Sequence, residues 1–137
     1  MAFTIRRLEY FTTTVRDQPG EAYNVLSQLE ELGLNLLAFT VIPVSPESAQ
    51  LTIFPEDALK MAVAARKAAL VLDGPHHALL VRGDDELGAL ARIHEKLYRA
   101  NVNVSASSGV ADGRGSFGYV IYVRPDDYEQ AANALGV

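Results

Sequence analysis

The sequence contains no cysteine and no tryptophan, and it has no long apolar run. The lack of cysteine excludes disulfide bonds, cysteine–zinc sites and thiol chemistry. No apolar stretch approaches the roughly 18 residues that a membrane-spanning helix needs. The residues after Met1 also lack the apolar core of a secretory signal peptide. We therefore expect a soluble, cytoplasmic protein that has no membrane partner.

Positive charge is scarce as well. Lysine and arginine number 12 against 17 acidic residues, which gives a net charge of −5. Nucleic acids and anionic membranes bind basic surfaces, so neither is expected as the main partner. The content of 49% hydrophobic and 21% charged residues is typical of a globular protein.

The chain contains an internal repeat. Asp17–Leu36 aligns with Asp85–Val104 without a gap, at an offset of 68 residues. Both copies keep an aspartate, a glycine three residues later and an asparagine near the end of the segment. A unit of about 65–70 residues has only a marginal core. We therefore expect the two units to pack on each other or on a second chain.

Hydrophobic spacing predicts the elements of the first unit. β-branched and aromatic residues from Leu8 to Val15 indicate a strand. Apolar residues at steps of three and four indicate a helix that begins after Gly20 and ends at Gly33. The remaining predicted elements are a strand from Leu34 to Val44, a strand around Leu51 and Ile53, a helix from Pro55 to Ala69, and a short strand at 70–72.

The second unit repeats this order but stops earlier. Its predicted elements are a strand from His76 to Val81, a helix with the stripe Leu90 to Ala100, strands from Val102 to Val110 and Phe117 to Val123, and a helix that ends near Leu135. Pro125 matches Pro55 at an offset of 70 rather than 68. This difference predicts two extra residues in the hairpin of the second unit.

The order βαββαβ followed by βαββα predicts an α+β fold of two ferredoxin-like units, each an antiparallel sheet with its helices on one face. The predicted units are residues 1–73 and 76–137, with 74–75 as the linker. The second unit lacks its last strand, which leaves a sheet edge open. We expect pairing between units or chains to cover this edge or, alternatively, the segment from Phe3 to Arg7 to fill it.

With this element order, the first unit resembles the ACT domain. The match comprises a loop motif before the first helix and a Gly-x-Asn-Leu motif after it. The matching residues are Asp17, Pro19, Gly20, Leu29, Gly33, Asn35 and Leu36. In the second unit Asp85, Gly88, Leu97, Asn103 and Val104 match, whereas Leu87 replaces the proline and Asn101 replaces the glycine. The resemblance implies a regulatory module that binds amino acids, often at an interface between paired domains.

The conserved positions of the repeat suggest how such a ligand would be held. A helix N-terminus offers free backbone N–H groups and a positive partial charge to a carboxylate. An asparagine amide offers both a donor and an acceptor. The predicted ligand-binding residues are Asp17, Pro19, Gly20, Glu21, Asn35, Leu36, Asp85, Leu87, Gly88, Asn103 and Val104. We expect the aspartate loop and the asparagine to lie at the same end of the sheet. If they lie at opposite ends, a ligand can touch both only by bridging neighbouring units.

A simpler interpretation of the same residues is structural. In that interpretation the aspartates are helix caps, and the glycines and asparagines are turn residues. His76 and His77 are poor candidates for a metal site, because successive strand residues point to opposite faces. His94 is expected to be a half-buried histidine at a helix edge. The glycine-rich segment around Asp112 lacks the context of a phosphate-binding loop and is expected to be a flexible hairpin.

The leading hypothesis is a non-enzymatic, amino-acid-binding regulatory module. It would form a homodimer and act on a partner enzyme or transporter, without a catalytic residue, metal or cofactor. One alternative is an acylphosphatase-like hydrolase on the same fold that uses Arg16 and Asn35. The other is an assembly module without a ligand.

Overall fold

The computed structural model describes residues 3–137, which form two compact units. We call Glu9–His76 the first unit, and residues 3–8 together with 77–137 the second unit. The division cuts two strands, β1 (Phe3–Arg16) and β4 (Asp73–Asp84), so each of these strands contributes to both units.

The first unit has the element order of a split βαβ fold. After its part of β1 come α1 (Glu21–Glu31), β2 (Leu36–Ser45), β3 (Ser48–Pro55), α2 (Ala58–Lys67) and the start of β4. The strand order is β2-β3-β1-β4, and β3 pairs antiparallel with both β1 and β2. Ile53 of β3 lies opposite Phe11 of β1 and Phe39 of β2. This is the predicted ferredoxin-like order.

Both helices of the first unit pack on the same cluster of sheet residues. Val25 and Leu29 of α1 and Met61 of α2 are buried against Phe11 and Ile53. The α1 residues belong to the stripe that the sequence spacing predicted. The two helices therefore cover one face of the sheet, as expected for this fold.

The second unit repeats the arrangement. Its own segment holds the rest of β4, then α3 (Ala89–Arg99), β5 (Ala106–Ala111), β6 (Ser116–Tyr122), a short 3₁₀ helix (Pro125–Asp127) and α4 (Tyr128–Ala134). The strand order is β1-β4-β6-β5, and β6 pairs antiparallel with β4 and β5. Ile93 and Leu97 of α3 and Ala131 of α4 pack against Leu79 and Ile121 of the sheet.

Residues 3–8 supply the strand that the second unit's own segment lacks. Phe3 and Ile5 pack against the second unit's core. The ring of Phe3 meets that of Phe117 edge to face, with centroids 6.4 Å apart. Of the alternatives for the open edge, the filling of the gap by the segment from Phe3 to Arg7 is confirmed.

Arg7 fastens this strand to the C-terminal helix. Its Nη1 donates to both carboxylate oxygens of Glu129, at 2.8 and 2.7 Å, and its Nη2 donates to the main-chain oxygen of Val137 at 3.1 Å. The guanidinium also lies over the ring of Tyr128, whose hydroxyl donates to the carbonyl of Ala78. The hydrogen bonds from Arg7 lower the pKa of Glu129, and the same pair raises the pKa of Arg7. The two ends of the described chain are thus tied together within one unit.

Several predicted boundaries were wrong. Residues 70–72 are not a strand, and β4 begins at Asp73, so residues 74 and 75 lie within a strand rather than in a linker. A side chain at Gly74 would lie 2.8 Å from the carbonyl oxygen of Tyr10, so only glycine allows β4 to approach β1 this closely. β1 begins at Phe3 rather than Leu8. β5 begins at Ala106 rather than Val102.

The two extra residues of the second unit do not lie in its hairpin. Phe39 pairs with Ile53 in the first unit, and Ser107 pairs with Ile121 in the second, so both strands keep the offset of 68. The offset between equivalent positions of the two copies increases from 68 to 70 only after β6, just before Pro125. The insertion therefore lengthens the connection to the last helix.

Within residues 3–137, no helix is both long enough and apolar enough to cross a membrane.

The contribution of the N-terminal strand can be measured with Ile5→Ala. Ile5 is half-buried against the second unit's core, so its truncation should lower the free energy of unfolding by about 1–2 kcal/mol, less than the 2–5 kcal/mol of a fully buried site. Thr4→Ala, which alters an exposed neighbour, should change it by less than about 0.5 kcal/mol. Equal effects of the two variants in urea denaturation would contradict this role of the strand.

The ion pair of Arg7 and Glu129 predicts a dependence of stability on pH. Because the folded-state pKa of Glu129 lies below its ordinary value of 4.5, the pair stabilises the protein above that pH. This contribution is lost as the pH falls through the lowered pKa. Urea midpoints of wild type and Glu129→Gln should therefore differ at about pH 6, and the difference should shrink as the pH falls below 4.5. A difference that is constant with pH would contradict the prediction.

Candidate functional site

Each of the two aspartate loops is held in place by an equivalent main-chain hydrogen bond. The Asp17 N–H donates to the carbonyl of Glu47 at 2.9 Å, and the Asp85 N–H donates to the carbonyl of Gly115, also at 2.9 Å. Both acceptors lie at the tip of the following hairpin. The two carboxylates are exposed. The backbone at this position is thus fixed, and the carboxylate points into solvent.

Each loop leads into a helix that no side chain caps. Gly20 and Gly88 are the N-cap residues of α1 and α3, with φ of 91° and 81°, and neither helix receives a side-chain cap. Asp17 and Asp85 are therefore not helix caps, which removes that part of the structural interpretation. The positive φ explains the glycine at this position of both copies.

The other loop residues of the predicted site are close to these helix starts. Pro19 and Leu87 precede the two glycines, and Leu87 is 98% exposed. Glu21, the first residue of α1, accepts a hydrogen bond from the side chain of Gln18 at 2.9 Å. The loops thus present an exposed rim around free helix N–H groups.

The helices also end in the same way. Gly33 follows α1 with φ of 72°, and Asn101 follows α3 with φ of 58°. The N–H of Leu34 donates to the Leu29 carbonyl, and that of Val102 donates to the Leu97 carbonyl. Asparagine adopts this left-handed conformation more readily than most residues. The departure of Asn101 from the ACT pattern therefore leaves the helix end unchanged.

Asn35 lies beyond the end of α1 and contacts Glu56. Its side-chain Nδ2 donates to Oε2 of Glu56 at 2.9 Å, and its main-chain carbonyl accepts from the Glu56 N–H at 2.8 Å. Leu36 follows it as the first residue of β2. In the second unit, Asn103 is exposed and Val104 is half-buried, both just before β5. Glu56 is a site residue that sequence reasoning missed.

The structure separates the two halves of the predicted site. Asp17 bonds near the tip of the β2–β3 hairpin, whereas Asn35 bonds to Glu56, which follows β3. The 11 residues of α1 lie between them and span about 16 Å. The expectation that both lie at one end of the sheet was wrong, because the helix carries the chain along the sheet before Asn35. Arg16 and Asn35, on which the hydrolase alternative rests, are separated in the same way.

Each half lines a pocket in one of the units. Asn35 and Leu36 line a cavity of about 470 Å³ beside Tyr23 and Leu26. Asn35 also lines a cavity of about 620 Å³ that is rich in charged residues: Glu9, Glu56, Asp57 and Lys60. In the second unit, the loop from Asp85 to Gly88 lines a cavity of about 600 Å³ together with Gly109, Val110 and Phe117.

The two adjacent histidines have separate partners. His76 contacts Asp73 at 2.8 Å and packs on the ring of Tyr10, whereas His77 packs on the ring of Tyr128. Burial and Asp73 raise the pKa of Tyr10. Within residues 3–137, no group of three or more histidine, cysteine or acidic residues is placed to hold a metal ion.

The glycine-rich segment is an ordered turn. Oδ1 of Asp112 accepts hydrogen bonds from the N–H groups of Arg114, at 2.6 Å, and Ser116, at 3.2 Å. It therefore closes the β5–β6 hairpin on itself, and its glycines serve the turn.

No protein-family model and no curated protein matches the sequence. Solved structures do match. Protein BT0572 from Bacteroides thetaiotaomicron is 16% identical with a TM-score of 0.79, over 96% of this chain and 88% of that one. The ligand-free regulatory subunit of aspartate kinase from Thermus thermophilus is 14% identical with a TM-score of 0.63, over 97% of this chain and 93% of that one. The corresponding subunit from Thermus flavus is 15% identical, with a TM-score of 0.57 and coverages of 98% and 93%. These likenesses confirm the predicted fold, an α+β chain of two ferredoxin-like units.

The absence of a capping role for Asp17 can be tested directly. Asp17→Ala should change the free energy of unfolding by less than about 0.5 kcal/mol, because the carboxylate is exposed and caps no helix. Asp57→Ala is the matched control: Oδ1 of Asp57 accepts from the N–H of Lys60 at 3.0 Å and caps α2. Its loss should lower that free energy by about 1 kcal/mol. Equal losses in the two variants would restore the capping interpretation of Asp17.

Proposed function

We propose that this protein is a non-enzymatic regulatory module that binds a free amino acid. The observation that supports this most is that each unit has two chemically complementary half-sites, one at each end of its first helix. One half, the uncapped helix start, suits a carboxylate. The other, the asparagine at the far end of the helix, suits an ammonium group.

The carboxylate half is best developed in the second unit. The N–H groups of Leu90 and Ala91 in the first turn of α3 have no side-chain acceptor. Both residues line the cavity of about 600 Å³. The positive end of the helix dipole favours an anion at this position. The exposed carboxylates of Asp85 and Glu86 at the rim favour a ligand that also carries a positive charge.

The ammonium half is best developed in the first unit. The Asn35 side chain donates one N–H to Glu56, and its side-chain oxygen Oδ1 can accept from a ligand. The carboxylates of Glu9, Glu56 and Asp57 line the same cavity, against the single cation of Lys60. The ammonium group of Lys60 donates to the carbonyl of Gly33 at 2.8 Å, so it is engaged at the end of α1. The balance of charge in the cavity is negative.

One ligand cannot reach both halves of a single unit. In an α-amino acid the ammonium and the carboxylate are attached to the same carbon atom, whereas α1 separates the half-sites by about 16 Å. A complete site therefore needs the carboxylate half of one unit and the ammonium half of another. We propose that a second copy of this chain supplies the missing half. Ligand binding would then favour the homodimer and change how it acts on a partner enzyme or transporter.

The likeness to the regulatory subunits of aspartate kinase supports a regulatory role of this kind. The hydrolase alternative is less well supported, because Arg16 and Asn35 do not converge. The assembly module without a ligand remains the second candidate, since uncapped helix starts are compatible with a purely structural loop.

Thermal denaturation with each common amino acid tests the proposal. A ligand that binds only the folded state should raise its stability by about 2.7 kcal/mol at a hundredfold excess over Kd. Asn35→Ala should abolish or weaken the response. The matched control is Asn24→Ala, which alters an exposed asparagine of α1 outside both cavities. Sedimentation should show that the active amino acid increases the dimer fraction.

Two results would overturn the proposal. If no amino acid at millimolar concentration shifts the unfolding temperature, the protein is an assembly module and not an amino-acid sensor. If a shift occurs but Asn35→Ala leaves it unchanged, the ammonium half is not where we place it.

A further inference from the structure

The second unit contains a chain of hydrogen bonds between three side chains. None of the three is part of the amino-acid site proposed above. Nε2 of His94, on α3, lies 2.7 Å from the hydroxyl oxygen of Tyr119, on β6. That hydroxyl donates to Oγ of Ser107, on β5, at 2.8 Å. Three elements of the unit are thus connected through one phenol group.

The fold does not require this polar chain. At the offset of 68, the equivalent residues of the first unit are Leu26, Phe39 and Leu51. The strand register confirms the equivalence, because Phe39 and Ser107 lie opposite Ile53 and Ile121. Three apolar side chains fill the same place on the same framework. The hydrogen-bonded set is therefore a particular feature of the second unit.

The neighbouring backbone is shaped to fit the tyrosine. Tyr119 is only 6% exposed, and it lies opposite Gly109 of β5. A Cβ atom at Gly109 would lie 2.7 Å from Cδ1 of the Tyr119 ring. The equivalent residue of the first unit is Val41, opposite Leu51. Glycine at position 109 therefore leaves room for the Tyr119 ring beside β5, with its hydroxyl at Ser107.

The direction of the hydrogen bonds leaves a donor at the surface. Tyr119 has one hydroxyl proton, which it gives to Ser107, so its oxygen accepts from the Nε2–H of His94. Ser107 accepts from Tyr119 and keeps its own proton. Because Ser107 is exposed on an edge strand, this proton is available to an acceptor from outside the unit.

The chain of hydrogen bonds lies next to the cavity at the start of α3. Ala91 and Gly109 both line that cavity. His94 follows Ala91 by about one helical turn. Ser107 precedes Gly109 by two residues on the same face of β5, about 7 Å along the strand. A ligand whose carboxylate binds at the helix start can therefore extend its other end from that cavity towards Ser107 and His94.

We propose that His94, Tyr119 and Ser107 form a specificity site for a ligand with a polar end group. The ligand class is an amino acid whose side chain ends in an amide, carboxylate or hydroxyl oxygen, which accepts from Ser107. Tyr119, which is 6% exposed, and His94 position the Ser107 hydroxyl. This inference rests on the proposed function and names the side chain that the second unit selects. At the equivalent positions the first unit has Leu26, Phe39 and Leu51, which lack these polar groups.

The test compares ligands of similar size and different polarity. Calorimetric titration of the full chain with glutamine and methionine, and with asparagine and leucine, gives two polarity preferences. We expect the polar member of each pair to bind at least about tenfold more tightly. Tyr119→Phe, which removes only the hydroxyl, should reduce this preference about tenfold. Tyr98→Phe, which removes a hydroxyl from an 81% exposed position of α3, should leave it unchanged.

Ser107→Ala provides the same test without touching the core, should Tyr119→Phe fail to fold. It removes the exposed donor directly, so it should also abolish the preference. If methionine or leucine binds wild type as tightly as its polar partner, the specificity site is refuted while amino-acid binding stands. The same conclusion follows if both variants keep the wild-type preference. If none of the four ligands, and no other amino acid, binds, the proposed function fails as well.

Discussion

The pairing of residues 3–8 with β4 is the interaction on which the architecture depends. The second unit has only three strands of its own, and an open edge beside β4 would expose unpaired backbone groups and part of its core. Phe3 and Ile5 cover that core, and Arg7 fixes the strand to α4 through Glu129. The first and last segments of the described chain thus fold together, although more than 100 residues separate them. This long-range closure turns two unequal repeats into two units with the same strand order.

The length of the first helix of each unit sets the geometry of the proposed site. Whatever binds the uncapped start of α1 or α3 cannot also reach the asparagine of the same unit. A small ligand that uses both must join two units. In the proposed mode of binding, recognition would therefore be linked to association, which suits a module whose output is a change in how subunits contact one another. The two copies have also diverged: Asn35 of the first unit lies in a cavity lined by Glu9, Glu56 and Asp57. The second unit has the cavity at the start of α3 and the hydrogen-bonded set of His94, Tyr119 and Ser107.

Much of the fold could be predicted from the sequence, because its signals are local. The stripes of α1 and α3, the glycine at each helix start and the left-handed residue after each helix all lie within a few positions of one another. The strand from Phe3 to Arg7 was harder to assign, because Arg6 and Arg7 interrupt the alternation expected of a buried strand. Gly74 and Pro75 resembled a linker, although both lie within β4, where Gly74 has a φ of 143°. The position of Pro125 suggested a longer hairpin, and only the strand register shows that the insertion follows β6.

The candidate site was less predictable, because it depends on contacts between distant positions. Glu56 meets Asn35 only through the pairing of β2 with β3, in which Leu36 lies opposite Pro55. Tyr119, His94 and Ser107 come from three elements, and each looks ordinary in its own neighbourhood. A signal was present in the repeat itself, since Leu26, Phe39 and Leu51 are all apolar and their three counterparts are all polar. A coordinated change of this kind between copies indicates that the side chains meet.

The division of β1 between two units has a consequence for the history and handling of this chain. Duplication usually gives halves that can be separated again, but here the repeat boundary is not the structural boundary. A fragment cut between the two copies would take residues 3–8 away from the unit that they complete. The second copy therefore became dependent on the start of the first. A fragment designed to hold the second unit alone therefore has to include residues 3–8 as well as 77–137.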